Sequence, residues 1–446
     1  MSPWFLITVL LTVVGGAAGL FYPFYGLLAY IALSLLRPES LWFWSVPEWN
    51  YSRVVAIALL IGWLIERFAR WRERYPELGV APLAASFAVQ PLVSISACIT
   101  GRRLEGMGRE RYMLGALLVF SALTIFGAVT APRTLAAWSY VETMAKIVVP
   151  FFVGMSYVDT SARLKQLAWV MLGSEGYVCF DLNRDYLRGW NRLAIDGFGG
   201  MDNNCATVGF VTVLGVGIIL TLESPRLWQK GLAGFLTALI GHAILISLSR
   251  GGMLGALLAG TTAFVVMKKK AIHYALAALA VAGVLYTTGE TVRQRFLMTF
   301  EKKENRDESA QSRLVLWGAC LDCISEHPVL GVGPNHWPLI VSRYGWPEGK
   351  EAHTLWLQLG AELGLPALAC LVLFFALGIV QLWPVARGWL LLPDPWLQPA
   401  AQMTISGLVG FMFSAQFVTI KSLEIPYFLA LVGAGTLRLA SKWETA

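Results

Sequence analysis

Apolar runs of membrane-spanning length recur along the whole chain, and no other feature limits its fold so severely. They lie near residues 4–20, 21–36, 53–66, 78–99, 112–130, 141–158, 164–180, 205–222, 228–247, 252–267, 271–287, 354–381, 402–420 and 425–440. A helix crossing hydrocarbon needs about 20 mostly apolar residues, because every backbone polar group must be satisfied inside the helix. The rest of the composition agrees. Only 14% of the 446 residues are charged and 56% are hydrophobic, against roughly 25% charged in soluble domains. Mean hydropathy is +0.60. There is too little polar surface here for a soluble enzyme, a disordered chain or a nucleic-acid binder. The net charge of +7 is read as membrane topology rather than as a nucleic-acid footprint. The predicted fold is an all-α polytopic membrane protein with about 12 spans (12–14). The uncertainty in the count comes from residues 1–111, where residues 4–36 form either two short helices turning at Tyr22-Pro23 or one kinked span. Residues 1–18 lack the basic start of a signal peptide and are read as membrane helix.

Lys and Arg in the short connections set the orientation. Lys268 to Lys270, Arg102 to Arg111, Arg163 with Lys165, and Arg226 with Lys230 mark one side. Counting spans from residue 112 onward puts the connections 181–204, 248–251 and 288–353 on the opposite side. Arg67 to Arg74 spoil this parity, because only the run 78–99, broken by Pro82 and Pro91, separates them from the next basic cluster. Four units follow: an N-terminal membrane segment 1–111, a membrane core 112–287 with the loop 181–204, a large outer connection 288–353, and C-terminal membrane helices 354–446. The outer connection is charged at its start and then amphipathic over Ser312 to Ile324, with Leu314, Leu316 or Trp317, Leu321 and Ile324 at helical spacing. Structured loops of such length usually carry function.

The candidate site residues lie in these outer connections. Loop 181–204 holds Arg188, Asn191, Arg192 and Asp202 and enters a helix at Asn203/Asn204 through three glycines. Free N–H groups at such an entry suit an anion. Arg250, in Ser249-Arg250-Gly251-Gly252, is a fixed cation between two apolar helices and needs water, protein or a ligand to face. His353, where the long connection re-enters the membrane, is able to take a proton from a hydroxyl; its structural alternative is to cap a helix. His336 ranks lower, and His242 is read as a packed polar group. Cys320 and Cys323 form a lone CxxC, read as sharing an apolar helix face and not as a metal or redox site. Cys179 and Cys205 lie at the outer ends of neighbouring spans, with a disulfide between them as the lesser alternative. No phosphate-loop or metalloprotease signature occurs, and neither a metal nor a cofactor is expected. Two cations and an imidazole on one side suit one chemistry: holding a diphosphate leaving group while an attacking hydroxyl loses its proton.

The ordered set Asn191-Arg192, Asp202-Asn203-Asn204, Ser249 to Gly252, Ser312-Arg313 to Trp317, Glu326 to Asn335 and His353 to Pro366 resembles the O-antigen ligase and polymerase family of membrane glycosyltransferases. Tyr22 to Gly26 and Leu36 to Glu39 look like its exosortase-associated O-glycosylation ligase branch. The resemblance implies a metal-independent, inverting enzyme of the GT-C type in a bacterial inner membrane. Its partners would be an undecaprenyl-diphosphate glycan donor and a glycan, lipid or protein acceptor at the periplasmic face. Arg192 and Arg250 would hold the diphosphate, His353 would act as base, and Arg313 would support the donor or the loop. Asn203, Asn204, His336 and Arg188 would line the substrate. Many relatives have Asn after this histidine, where Thr354 stands here; a threonine is still able to cap the helix. A polymerase of the same family and a lipid-linked glycan transporter are the competing assignments. A transporter would favour ionisable residues near the midplane and internal repeats, and neither is visible.

Overall fold

The computed structural model describes residues 2–74, 108–287, 308–420 and 423–444. Seventeen α-helices carry the described chain: α1 (Pro3–Phe21), α2 (Pro23–Leu36), α3 (Pro38–Leu41), α4 (Tyr51–Arg74), α5 (Glu110–Thr130), α6 (Thr134–Met155), α7 (Ser161–Leu187), α8 (Arg192–Asp196), α9 (Asn203–Glu223), α10 (Leu227–Ile246), α11 (Arg250–Val266), α12 (Ala271–Thr287), α13 (Glu308–Glu326), α14 (Trp337–Ile340), α15 (Leu355–Ala386), α16 (Leu397–Ser414) and α17 (Ile425–Glu444). Among the described residues the only β pairing is the isolated bridge Phe198–Met201. Residues 4–36 are two helices, as one of the two expectations had it. Tyr22 leaves helical geometry at φ −137°, and Pro23 opens α2 at a position where its missing N–H costs nothing.

Five described helices, α1, α5, α9, α10 and α15, are long and apolar enough to cross a membrane by length and composition, and α11 and α12 are shorter apolar helices. The 12–14 expected from hydropathy exceed these because the run 78–99 lies outside the described residues and because other described helices are short or carry polar groups inside. α2 has 14 residues, and α7 buries Glu175, Asp181, Asn183 and Asp185 along its length.

The two ends of the bundle differ. At one end, basic side chains reach backbone carbonyls at the C-termini of neighbouring helices. Arg387 donates to Val265 O (2.6 Å), Arg438 to Met155 O (2.7 Å) and Lys230 to Leu222 O (2.8 Å). Lys165 sits 4.8 Å over the Trp396 ring. Arg67, which donates to Ser156 Oγ, and Arg109, whose N–H donates to Ser441 Oγ, belong to this same end. One member of each basic cluster that spoiled the parity count, Arg67 and Arg109, therefore lies at the same end, while Arg102, Arg103 and the run 78–99 lie outside the described residues. α9 lies at the centre of the bundle, packed against α10, α11 and α16.

The other end gathers the long connections, and a break in α15 organises them. Gly364 has φ 80°, and Pro366 follows it. The break leaves backbone groups without helical partners, and the connection before α15 supplies them. Val332 N–H donates to Ala361 O and Gly333 N–H to Glu362 O, each at 2.9 Å, while Leu365 N–H donates to Pro328 O at 2.8 Å. A Cβ on Gly364 would stand 2.2 Å from Val329 O, so the close approach and the positive φ both require glycine here. The carboxylate of Glu362 adds a bond from Asn335 N–H at 3.0 Å. A small apolar cluster of Leu316, Ala319, Cys320, Cys323, Ile324, Trp337, Val341, Ala352 and Ala361 secures α13 above it. The expected amphipathic helix is thus present, but its buried face is rotated. Leu316, Ile324 and both cysteines point inward while Leu314 and Leu321 are exposed. The CxxC cysteines share an apolar face. Cys179 and Cys205 are separate thiols.

Candidate functional site

Asparagines tie the connections of this end together. Asn191 Nδ2 donates to Ile246 O and Asn203 Nδ2 to Ser247 O, both at 2.8 Å, so the loop before α9 grips the turn before α11 from two places. Asn204 Nδ2 donates to Asn203 Oδ1 at 3.0 Å. The helix entry is capped by Asp202, whose carboxylate accepts from Cys205 N–H at 2.7 Å. An anion expected at this N-terminus finds one of its donors already taken by a carboxylate. In the facing turn, Leu248 is left-handed at φ 59°. Ser247 Oγ accepts from Ser249 N–H at 3.1 Å, and Ser249 Oγ caps α11 by accepting from Gly252 N–H at 3.2 Å. Arg250 is the first residue of α11 and is half-buried. Phe417 packs against Gly251 and Thr207 against Gly252, close enough that a side chain at either glycine would be crowded.

His353 lies in a second left-handed turn, at φ 52°. Four non-glycine residues among those described have positive φ, namely Arg37, Leu248, Asn335 and His353, and all four lie in connections of this end. Such conformations persist only where surrounding contacts hold them, and they collect at functional sites. The residue before the histidine is held on both sides. Ala352 N–H donates to Gln358 Oε1 at 2.8 Å, and Ala352 O accepts from Trp317 Nε1 at 3.1 Å. Thr354 does not cap α15 through its side chain; its Oγ1 is buried without a partner. The His353 imidazole is half-buried, and its pKa is held below the usual 6.5. Burial is the main cause, the charges of Arg313 and Lys350 add to it, and Asp202 and Glu351 oppose it. The neutral, proton-accepting imidazole is therefore favoured near neutral pH. The Trp317–Ala352 bond sets α13 against this turn, and the charges of Arg313 on α13 and of Asp202 before α9 both act on the imidazole. Beneath it lies a small apolar cavity lined in part by Tyr140, Leu355, Phe411 and Tyr427.

Three sequence candidates have other surroundings. Arg192 is 4% exposed. Its Nη1 bridges Asp185 at 2.9 Å and Asp181 at 3.3 Å, and its guanidinium lies over the Phe43 and Trp190 rings. The charge expected to meet a diphosphate meets two carboxylates instead. α7 continues to Leu187, so Asp181 and Asp185 are helical and face the arginine rather than lying in a loop. His336 is 3% exposed and bound through both ring nitrogens. Nε2 accepts from Arg133 N–H at 3.0 Å, so the proton is on Nδ1, which donates to Pro334 O at 2.8 Å. This makes His336 a tie between α6 and the outer connection. Arg188 caps the C-terminus of α7 and is exposed. His242 is the packed polar residue expected, bonded to Asn183.

Sequence reasoning missed Lys350, and noted Gln358 and Arg37 only within motifs. Arg37 donates to Gly199 O and to Glu424 Oε2, the latter at 3.2 Å, and so fastens the glycine turn before α9 to the start of α17. No local signal points to a pairing between residues so far apart in the chain.

A multi-pass, all-α membrane protein with cations, asparagines and a titratable histidine gathered at one end is the class that this geometry defines. Residues 235–372 match the family model described as O-antigen ligase, which supports placing the chain in the O-antigen ligase family. The matched segment contains Arg250, Arg313, Gln358 and His353. A search of curated proteins finds no match to this chain.

Proposed function

We propose that the protein is a membrane glycosyltransferase that moves a glycan from an undecaprenyl-diphosphate donor to an acceptor hydroxyl at the periplasmic face of a bacterial inner membrane. The end rich in helix-capping Lys and Arg is cytoplasmic by the positive-inside rule. On this reading, helices too polar or short to be recognised by hydropathy also span, for about 12 spans in all. The observation that carries this reading is the left-handed turn that presents His353, pinned through Ala352 by Gln358 and by Trp317 of the Arg313-bearing helix, at the same end as the Asn203-held turn that carries Arg250. Arg250, Arg313 and Lys350 counter the diphosphate charge as the glycosidic bond breaks, the kind of preorganised electrostatic stabilisation that lowers such barriers most. His353 takes the acceptor hydroxyl's proton, and direct displacement inverts the anomeric centre. Arg192, charge-balanced by Asp181 and Asp185, supports the loop instead of touching phosphate. No step calls for a metal.

Purified enzyme incubated with labelled undecaprenyl-diphosphate glycan and a panel of lipid, glycan and protein acceptors tests this. Formation of a new glycosidic bond with release of undecaprenyl diphosphate is expected. Movement of the lipid across vesicles without bond formation would make the protein a transporter. Extension of the lipid-linked glycan itself would make it a polymerase.

A further inference from the structure

We propose that Gln358 is a positioning residue for the reaction: it holds His353 in the left-handed turn from which the imidazole reaches the acceptor. The inference rests on the assignment of His353 as base.

Gln358 is 2% exposed and lies on the first turn of α15. Its amide makes every bond it is able to make. Oε1 accepts from Ala352 N–H at 2.8 Å and from Thr419 Oγ1 at 3.0 Å. Nε2 donates to Glu362 Oε1 at 3.1 Å and to Glu351 Oε2. Two acceptor sites and two donor hydrogens are all that a primary amide offers. The four partners come from three directions: the turn carrying His353, the broken stretch of α15, and the segment between α16 and α17. That last segment touches the start of α9, because Cys205 Sγ lies 3.5 Å from Thr419 O.

The need for such a hub follows from the backbone. A non-glycine residue at φ 52° is held against its own preference. Residues 351 and 352 immediately before it are bound to one side chain, so the turn is unable to relax toward extended geometry without breaking two of these bonds. Buried polar networks of this kind are specific only when every member is satisfied. Gln358 contacts no substrate in this arrangement; it acts through the histidine. Removing it releases the turn and moves the base, and a displacement of about 1 Å is enough to cost about 100-fold in rate.

The test compares Gln358→Leu, Gln358→Glu, His353→Ala and the double variant His353→Ala/Gln358→Leu in reconstituted vesicles. Gln358→Leu is expected to lower kcat about 100-fold with donor KM unchanged. The double variant is expected to be no slower than His353→Ala alone, because both changes remove one function. Gln358→Glu keeps the shape but sets a third carboxylate between Glu351 and Glu362. Only its protonated form donates, so its activity is expected to recover as pH falls, with an optimum displaced to acid relative to wild type. This second variant reads the network even if Gln358→Leu folds poorly. A slow His353→Ala with Gln358→Leu or Gln358→Glu at wild-type kcat and an unshifted profile overturns the positioning role. A double variant much slower than His353→Ala also overturns it. A His353→Ala enzyme running at wild-type rate overturns the base assignment, and the positioning role with it.

Discussion

The two ends of the bundle use the same side chains for different work. At the basic end, Arg387, Arg438 and Lys230 reach carbonyls that terminate helices, where a cation satisfies an orphan acceptor and the negative end of the dipole. At the other end, Arg313, Lys350, Asp202 and Glu351 all act by charge on the His353 imidazole, the first two lowering its pKa and the last two raising it. The first arrangement is complete in itself. The second acts on a titratable imidazole whose pKa is held below the ordinary histidine value, mainly by burial. Arg192 shows that position alone does not decide the matter, because it shares the second end and yet is closed off by two carboxylates and two aromatic rings. A cation serves structure where its charge is already balanced by fixed partners.

That contrast is broken most severely by the acidic partners of Arg192. Replacing Asp181 and Asp185 together by Ala leaves a buried guanidinium unpaired and is expected to cost about 3–5 kcal/mol; thermal unfolding in detergent measures it. Arg250→Ala is expected to slow transfer about 10- to 100-fold, the equivalent of losing charge-assisted hydrogen bonds worth about 1.5–3 kcal/mol, with little change in melting temperature. Arg438→Ala is expected to do the reverse: about 1 kcal/mol of stability lost with the capping bond, and kcat unchanged. Finest is the pH profile. Neutral His353 is the active form, so rate rises with pH through its pKa and is lost in acid. Arg313→Gln or Lys350→Gln removes a charge that lowers that pKa, and is expected to move the acid limb to higher pH. Asp202→Asn is expected to move it lower. Opposite signs from the two kinds of substitution would be hard to obtain from a general disturbance of the fold.

Much of this was legible in the chain, and the exceptions share a cause. The turn at Tyr22-Pro23, one of two readings left open, and the shared apolar face of the CxxC cysteines follow from local patterns that hydropathy and turn chemistry register, as does the placing of residues 189–204, 248–251 and the described residues 327–353 at one end. The Arg37–Glu424 pair and the Gln358 hub do not. Each depends on residues brought together across long stretches of chain, and a glutamine inside an apolar run looks the same whether it binds one partner or four. The true end of α7 was hidden because Asp181 and Asp185 resemble a hydrated loop until Arg192 is seen beside them. Leu314 and Leu321 fit the helical spacing of α13, but the smaller Ala319, Cys320 and Cys323 form the face that allows close packing on Ala352 and Ala361.

The most direct test of the account is the single-turnover rate of glycan transfer by His353→Ala, compared with wild type at pH 8 after both proteins are shown to insert and melt alike. General-base catalysis typically supplies about 10²–10⁴-fold, and a loss of that size in kcat with donor binding preserved is the predicted result. Transfer at the wild-type rate would contradict it and leave the gathered cations without the base they surround.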